Sequence, residues 1–296
     1  MRYMRKCCLA TLLIPPRGGG GKAALGALSA WFCRVTGALL ASALLASCGG
    51  GGDGPVSVVP VPPGTISYGN DRLLVRDYGG FVLLFDCTLH VALRYQYTLT
   101  KDTGNFARPS GFSFDPTLPA DCPQQTSTAS YASVMPGWDR GHLVTSNHMD
   151  YNADYILRAN YMSNVVPQVA VFNQGIWLAA ENVAECYRDL APVQVYGGVV
   201  FTDTRNDFFL ASHGVPTPER FWKVIVTTDA ATAGVKAIAW IMPNQAVLGT
   251  LDSYLVSIAE LEQILGTAMV GVDVPAAVKA GKPATSWPLP AGCSTS

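Results

Sequence analysis

The chain has 296 residues, which is enough for one large domain or two small ones with a substantial core. With 49% hydrophobic and 14% charged residues, its composition excludes an intrinsically disordered protein. Six of the 20 Lys and Arg residues lie in the first 47 positions, and the remaining 14 face 21 Asp and Glu, a net charge of −7. This charge excludes a uniformly basic nucleic-acid-binding protein, because phosphate contacts supply most of that affinity. A local cationic patch would still serve an enzyme that releases its product.

The N-terminal region has the pattern of an export signal. Residues 1–47 carry basic residues and no acidic one, and Val35–Ala46 is an uncharged run of apolar and small residues. This order predicts a cleaved signal rather than a membrane-spanning helix. The run ends at Leu45–Cys48, followed by Gly49–Gly52, which resembles the bacterial lipobox with Cys48 as the lipidated residue. An ordinary signal peptide with a chance cysteine is the alternative. We expect a protein of the periplasm, of the outer membrane through a lipid anchor, or of the exterior.

A tether and one folded domain are predicted beyond this signal. Residues 48–66 are rich in Gly, Pro and Val, a composition typical of a linker. Residues 67–296 contain no second linker and no internal repeat, so we expect one domain there.

The cysteines predict disulfides rather than a metal site. Three of the eight lie within residues 1–47, and a fourth is Cys48. None of the others has the CxxC or Cys/His spacing of a zinc site. Four cysteines in an exported chain predict two disulfides in one of three connectivities. They are Cys87, Cys122, Cys186 and Cys293.

Alternating, β-branched and aromatic runs predict five strands, and helical spacing predicts two helices. Asp252 is a plausible N-cap for the second helix. The polar stretch Gly104–Met135 predicts a long surface loop, and loops of that length are often functional. The mixture predicts an α+β domain with an antiparallel β-sheet core and packed helices. The strands are Phe81–Asp86, His90–Thr100, Val193–Phe201, Phe221–Thr227 and Val235–Met242, and the helices are about Asn173–Leu190 and Asp252–Leu265.

The strongest local signal for chemistry is Asp139-Arg140-Gly141-His142. A histidine titrates near neutral pH and can accept a proton from water, and an adjacent arginine can counter phosphate charge. Glycine lets the backbone approach closely. Taken alone, the tetrapeptide is also typical of a surface hydrogen-bond network.

A second cluster surrounds the first predicted helix. With four-residue spacing, Asn173 and Glu181 lie on one side of a helix, two turns apart. A hard cation such as Mg²⁺ takes oxygen ligands, which an amide oxygen and a carboxylate-held water can supply. The alternative is that Asn173 is a helix N-cap and Glu181 a solvated charge.

Together the two clusters resemble the DNA/RNA non-specific endonucleases, a family of ββα-metal nucleases. The resemblance rests on the ordered set Asp139–His142, Ser163–Gln168, Phe172–Trp177 and Glu181. It covers the chain from about Tyr78 to the C-terminus. Further similar stretches are Tyr97–Asp102, Arg108 ahead of Phe114–Pro116, Phe221–Val224 and Gly292-Cys293.

The resemblance implies a role for each matching residue. His142 would be the general base that activates water. Asn173 would be the single direct protein ligand of a hydrated Mg²⁺, for which Mn²⁺ could substitute, and Glu181 would hold water molecules of that ion. Arg108 and Arg140 would lie near the phosphate, with Arg108 stabilising the pentacoordinate transition state.

Two further residues, Asp139 and Asn164, would support the residues that contact the substrate and the metal.

The implied activity is sugar-non-specific hydrolysis of phosphodiester bonds in DNA and RNA, with a 3′-oxygen leaving group and 5′-phosphate products. Contacts to the phosphate backbone would give little sequence preference. An inhibitor protein is a further expected partner in a cell that exports this activity. Two alternatives stay open: a lipoprotein of this fold that binds nucleic acid without cutting it, and a phosphodiesterase for small diesters.

The sequence departs from the family pattern at several positions. Leu143–Thr145 follow the histidine where a small residue and Pro are usual, and Glu185 stands where the family often has Arg. The nearest arginine is Arg188, so weaker phosphate binding or an altered substrate preference is expected. Cys186 is expected to be a buried thiol or half of a disulfide. No direct role is predicted for His90 in a strand, for His148, or for His213 in a loop.

Overall fold

A computed structural model of the protein describes residues 72–229 and 232–295. The predicted signal at 1–47, the lipidation site Cys48 and the tether at 48–66 lie outside these residues, as does the predicted start of the domain at Ser67. Among the helices in the described part of the chain, none is both long and apolar enough to cross a membrane.

An antiparallel sheet of seven strands, in the order β1-β2-β3-β6-β7-β8-β9, forms the centre of the domain. A separate ribbon pairs β4 with β5. Runs of apolar residues bury most of β2, β6 and β7, and large aromatic side chains such as Trp222, Trp240 and Tyr95 fill the core. The strands are β1 Leu73–Asp77, β2 Phe81–Asp86, β3 Val91–Leu99, β4 Trp138–His142, β5 Val165–Val169, β6 Val193–Val200, β7 Arg220–Thr228, β8 Val235–Pro243 and β9 Leu255–Val256.

Short helices surround these strands. The longest is α3, which packs against β6 and β7 and carries Glu181 of the second sequence cluster. The helices are α1 Ala153–Ala159, α2 Ala170–Phe172, α3 Leu178–Tyr187, α4 Leu210–His213, α5 Ile258–Leu265, α6 Thr267–Val270 and α7 Ala276–Ala280. The predicted α+β class is confirmed, and each predicted strand is confirmed to within one residue at either end.

The helix predicted from Asp252 is wrong at its beginning. A 3₁₀ turn occupies Leu251–Tyr254, strand β9 follows, and α5 begins only after Ser257. The Ser257 hydroxyl accepts from the amide of Glu260, and the Glu260 side chain accepts from the amide of Ser257, which is a complete capping box. Asp252 instead accepts a hydrogen bond from the backbone of Ser286 at 2.7 Å.

The helix predicted over Asn173–Leu190 is not one regular helix. It starts earlier, with α2, passes through a π-helical turn at Asn173–Trp177, and continues as α3. Gly175 has non-helical angles within this turn (φ −107°, ψ −108°). Such π turns are frequent at functional sites. Asn173 is therefore not an N-cap, and its relation to Glu181 is set by the π turn rather than by regular four-residue spacing.

The Asp139–His142 motif lies on a strand that the sequence patterns did not reveal. In the β4–β5 ribbon, Gly141 pairs with Val166 and His142 with Val165. A Cβ at Gly141 would overlap the side-chain amide of Gln168, so this position requires glycine. The ribbon therefore depends on the glycine that separates Arg140 from His142.

Two disulfides join Cys87 to Cys122 and Cys186 to Cys293. They settle the connectivity that the sequence left open and confirm Cys186 as half of a disulfide. The first bond ties the end of β2 to the long loop before β4. The second ties α3 to the C-terminal segment, 107 residues away in sequence.

Removing the second disulfide should destabilise the protein more than removing the first. In the chain-entropy account, the cost grows with the length of the closed loop, and separations of 107 and 35 residues differ by about 1 kcal/mol. Urea unfolding of the Cys186→Ser/Cys293→Ser and Cys87→Ser/Cys122→Ser proteins tests this order. The reverse order would show that native packing rather than loop length dominates.

Candidate active site

A cleft of about 430 Å³ lies where the β4–β5 ribbon meets α3 and the long loop. All but one of the residues that the sequence predicted for chemistry line it; the exception is Asn164. They are Arg108, Asp139, Arg140, His142, Asn173 and Glu181, joined by Phe112, Ser130, Thr145, Gln174 and Leu178. The structure thus brings together residues from three distant parts of the chain.

His142, the last residue of β4, is held through one ring nitrogen. Its Nε2 lies 3.1 Å from Oδ1 of Asn160 and 3.2 Å from the hydroxyl of Ser146. The Asn160 amide nitrogen donates to the carbonyl of Ile156 (2.8 Å) and to Ser146 (2.9 Å), which leaves its oxygen to accept from His142. We therefore assign the proton to Nε2 and the free lone pair to Nδ1. Sequence patterns gave no indication of Asn160 or Ser146.

The surroundings of His142 keep its imidazole neutral. Burial, followed by the positive charge of Arg108, lowers the pKa of His142 to about 3. The hydrogen bond with Asn160 raises this pKa, and Arg140 lowers it further. At neutral pH the ring is thus an unprotonated acceptor of protons.

Phe112 organises the cationic side of the cleft. Its ring lies 5.0 Å from the His142 ring, with the Arg140 guanidinium 4.3 Å and the Arg108 guanidinium 5.9 Å from its centroid. Arg140 also donates to the carbonyl of Thr128 at 2.7 Å. Cation–π contacts of this kind hold both arginines without neutralising them. Phe112 lies in the long polar loop, and nothing in the sequence distinguished it from the other aromatic residues there as a residue of the site.

Asn173 fits the role of a metal ligand. Its amide nitrogen donates to Asp139 Oδ2 at 2.9 Å, and the Gln174 amide nitrogen donates to the same oxygen at 2.8 Å. The Asp139 carboxylate therefore fixes the Asn173 amide by its nitrogen and leaves the amide oxygen for a cation. An amide oxygen beside a carboxylate is the donor set that Mg²⁺ prefers.

Glu181 supplies that carboxylate from α3. It is buried at the edge of the cleft, and its Oε1 lies 3.5 Å from the ammonium of Lys223. Lys223 is fully buried and lies 4.0 Å from the centroid of the Trp177 ring. Burial lowers the pKa of Lys223 to about 8 and raises that of Glu181, while each partner opposes the shift of the other. A lysine within the apolar run of β7 was a visible signal that sequence reasoning did not use.

Among residues 72–229 and 232–295, no group of three or more His, Cys, Asp or Glu side chains is placed to hold a metal ion. The site implied by the sequence does not need such a group, since its single direct protein ligand is an asparagine.

Asn164 is buried outside the cleft lining. Its side-chain oxygen accepts from the backbone amide of Val144, and its nitrogen donates to the carbonyls of Val144 and Ala159. It braces the segment that follows His142.

Glu185 does not face the cleft. Its carboxylate lies 3.3 Å from Arg188 and 3.4 Å from Nε2 of His148, and Nδ1 of His148 lies 2.8 Å from the hydroxyl of Tyr97. Arg188 is buried and donates to the carbonyl of Thr100 at 2.7 Å. Neither residue is therefore available to a phosphate in the cleft.

Two of the other histidines, His90 and His213, lie in different secondary structure from that predicted. His90 lies in a turn before β3, with a left-handed φ of 60°, rather than in a strand. His213 ends α4 rather than lying in a loop, and its Nε2 is 3.1 Å from the carbonyl of Ala129.

Comparisons with known proteins agree with these features. The family model described as DNA/RNA non-specific endonuclease matches residues 63–279. The mitochondrial nuclease EXOG of Mus musculus is 26% identical over 52% of this chain and 45% of that protein. Mitochondrial endonuclease G of Homo sapiens is 28% identical over 45% and 48% of the respective chains. This chain thus spans about half the length of these curated relatives.

Two further matches extend the comparison. A nuclease of Serratia marcescens is 25% identical over 57% of this chain and 65% of that protein. Among solved structures, the EndoG/EndoGI complex matches with a TM-score of 0.52 and 21% identity, over 64% of this chain and 84% of that chain. The structural match shows a shared fold.

The neutral state of His142 should appear in the pH dependence of stability. Its folded pKa of about 3 lies below the value of 6.5 for a free side chain, so the unfolded chain binds a proton first as pH falls. Its contribution is complete above pH 6.5 and is lost as pH falls toward 3, with about 1–2 kcal/mol lost between pH 6.5 and 5. His142→Gln should therefore lose less stability than the wild type over this interval in chemical denaturation. The same loss of unfolding free energy with falling pH in both proteins would contradict the lowered pKa of His142.

Proposed function

Because the chain belongs to the DNA/RNA non-specific endonuclease family, we propose that it is a metal-dependent nuclease that hydrolyses phosphodiester bonds of DNA and RNA to 5′-phosphate products. The observation that carries this proposal is the convergence of a neutral His142, two arginines, Asn173 and Glu181 on one cleft. Binding of nucleic acid alone requires neither a base nor a metal ligand.

His142 is the proposed general base. Its Nδ1 takes a proton from the attacking water. Nε2–H keeps its hydrogen bond to Oδ1 of Asn160, and this oxygen stabilises the imidazolium that forms. In the free protein, Arg108 and Arg140 oppose protonation of the ring. A bound phosphate offsets their charge, so the basicity of His142 rises when substrate is present.

Arg108 and Arg140 are the proposed phosphate clamp. Both line the cleft, and their planar guanidinium groups suit bidentate contact with phosphate oxygens. Burial and the neighbouring Arg140 lower the pKa of Arg108, which makes anion binding there more favourable. Contacts of these two arginines with phosphate carry no information about the base sequence.

Asn173 and Glu181 are the proposed residues for Mg²⁺, with Mn²⁺ as a substitute. The bound ion would stabilise negative charge on the leaving 3′-oxygen. Asn173 offers its amide oxygen, since its nitrogen is fixed by Asp139. Glu181 orients water near that oxygen, and the ammonium of Lys223 behind it favours the charged carboxylate.

We also propose that the protein is exported and acts at the outer membrane, in the periplasm or outside the cell. The two disulfides support an oxidising compartment. Contact with a membrane would come only through a lipid on Cys48. An inhibitor protein is a proposed partner, since the structural relative EndoG was solved as an inhibited complex with EndoGI.

Replacement of His142 by Ala should lower cleavage of plasmid DNA and of RNA by at least about a hundredfold. The assay compares the oxidised proteins with Mg²⁺ and with EDTA. His90→Asn is the matched control, because His90 lies outside the cleft and Asn tolerates its positive φ.

Each alternative gives a distinct result in this assay. Unchanged turnover by His142→Ala would refute the base assignment. Gel retardation of DNA without any cleavage by the folded wild type would favour a binding protein. Hydrolysis of bis(p-nitrophenyl) phosphate without degradation of plasmid or RNA would favour a small-diester phosphodiesterase.

Replacement of Asn173 by Ala should raise the Mg²⁺ concentration for half-maximal cleavage by at least about tenfold, with incomplete recovery in excess metal. Gln174→Ala is the control, since both amides donate to Asp139 but only Asn173 is the proposed ligand. A metal titration of both variants separates the roles. Equal shifts would mean that Asp139, rather than Asn173, governs metal binding.

A further inference from the structure

A second pocket of about 460 Å³ adjoins the cleft. The two share Arg108, Thr145, Leu178 and Glu181 as a common wall. A nucleotide whose phosphate lies between the arginines therefore has this pocket beside it. The volume is within the range of small-ligand sites.

The chemistry of the second pocket is opposite to that of the cleft. Apart from the shared Arg108, its charged groups are carboxylates, and its lining also includes three asparagine amides, the ring of Phe106 and the neutral ring of His148. Burial is the largest cause that raises the pKa of Asp150 and of Glu185; the carboxylate of Asp102 raises both further, and Arg188 opposes both shifts. A phosphate would be repelled here, whereas an uncharged group that donates hydrogen bonds would be favoured. The residues specific to this pocket include Asn105, Phe106, Asn147, Asp150, Asn182 and Glu185.

Asp150 carries the strongest indication of a ligand. Its side chain is only 8% exposed, and its Oδ1 is buried without a hydrogen-bond partner among the described residues. A buried acceptor without a donor costs free energy, so a donor from a ligand would be stabilising. The backbone carbonyl of Asp150 accepts from the amide of Phe106 at 2.8 Å, which joins the acceptor to the aromatic side of the pocket.

Phe106 provides a surface for stacking. Its side chain is 50% exposed although it is a large apolar residue at the rim of a pocket. Nucleobases stack on exposed aromatic rings in the recognition of single strands, and this stacking is tolerant of sequence because every base has a π face. Amide and carboxylate groups around such a ring read the Watson–Crick edge of the base.

We propose that this pocket binds the unpaired nucleobase next to the cleaved phosphate and favours bases with an exocyclic amino group over uracil and thymine. This rests on the proposed nuclease function. Carboxylate oxygens accept from an exocyclic amino group at the end of the base edge, whereas uracil and thymine place a carbonyl oxygen there, which a carboxylate repels, and keep only the central N3–H as a donor. In a duplex the same edge is paired and inaccessible. Single-stranded segments are therefore the favoured substrates.

Cytosine and uracil provide a matched test, because they have the same ring size and differ only at C4, which carries an amino group or a carbonyl, and at N3, which accepts in cytosine and donates in uracil. The full-length protein is incubated with end-labelled single-stranded oligodeoxyuridine, and with the same oligonucleotide carrying one deoxycytidine at its centre. Cleavage at a phosphate next to deoxycytidine should exceed that at the same position in the uniform strand by about tenfold. Annealing a complementary strand should abolish this difference.

Three variants connect the preference to the pocket. Phe106→Ala should lower kcat/KM on single strands by about tenfold. Phe114→Ala is its control, with a similarly exposed ring (46%) in the same loop but outside the pocket. Asp150→Asn keeps the size of the side chain and should make cleavage next to cytosine and uracil equal. Asn182→Ala should weaken the preference too, and serves if the melting curve of Asp150→Asn shows misfolding.

The outcomes separate this inference from the function on which it rests. Absence of cleavage in every oligonucleotide, plasmid and RNA would overturn the proposed nuclease and the pocket together. Uniform cleavage along both oligonucleotides, with equal loss in Phe106→Ala and Phe114→Ala, would overturn the pocket alone and leave the nuclease standing.

Discussion

The hydrogen bonds from Asn173 and Gln174 to Asp139 connect the two halves of the cleft. Asp139 lies on β4, the strand that ends in His142, and Asn173 lies in the π turn that leads into α3. One carboxylate thus sets the distance between the proposed base and the proposed metal ligand. The π turn permits this contact, because it turns the Asn173 amide toward the ribbon while α3 continues against the sheet. A regular helix would place that amide differently relative to β4.

Charge in the cleft is balanced locally rather than by net composition. The chain beyond residue 47 is acidic, yet Arg108 and Arg140 lie together in the cleft, beside the ring of Phe112 and a neutral His142. On the other side, the ammonium of Lys223 lies behind the carboxylate of Glu181. Anions are therefore attracted to one wall and repelled from the other. Under the proposed function, this arrangement would let an acidic protein bind a nucleic-acid strand in a single orientation.

The sequence predicted what depends on local pattern and missed what depends on distant partners. The central strands were predictable because they combine alternation with buried apolar runs. The helix start at Ser257 was missed because Asp252 has the same cap chemistry but donors elsewhere in the fold. Lys223 and Asn160 were missed because their roles arise from side chains that are distant in sequence. The residues of the cleft were predictable only as a motif set; their relative positions were not.

The Cys186–Cys293 bond has a consequence for the order of maturation. Cys186 lies on the helix that carries Glu181, and its partner is translated only after all nine strands of the described domain. A nascent chain can therefore fold its sheet and align β4 against β5 while α3 is still without its covalent restraint. Closure marks the moment when synthesis has passed Cys293 and an oxidant is available. The covalent restraint on α3 thus depends on two conditions: synthesis of the chain through Cys293 and an oxidising environment.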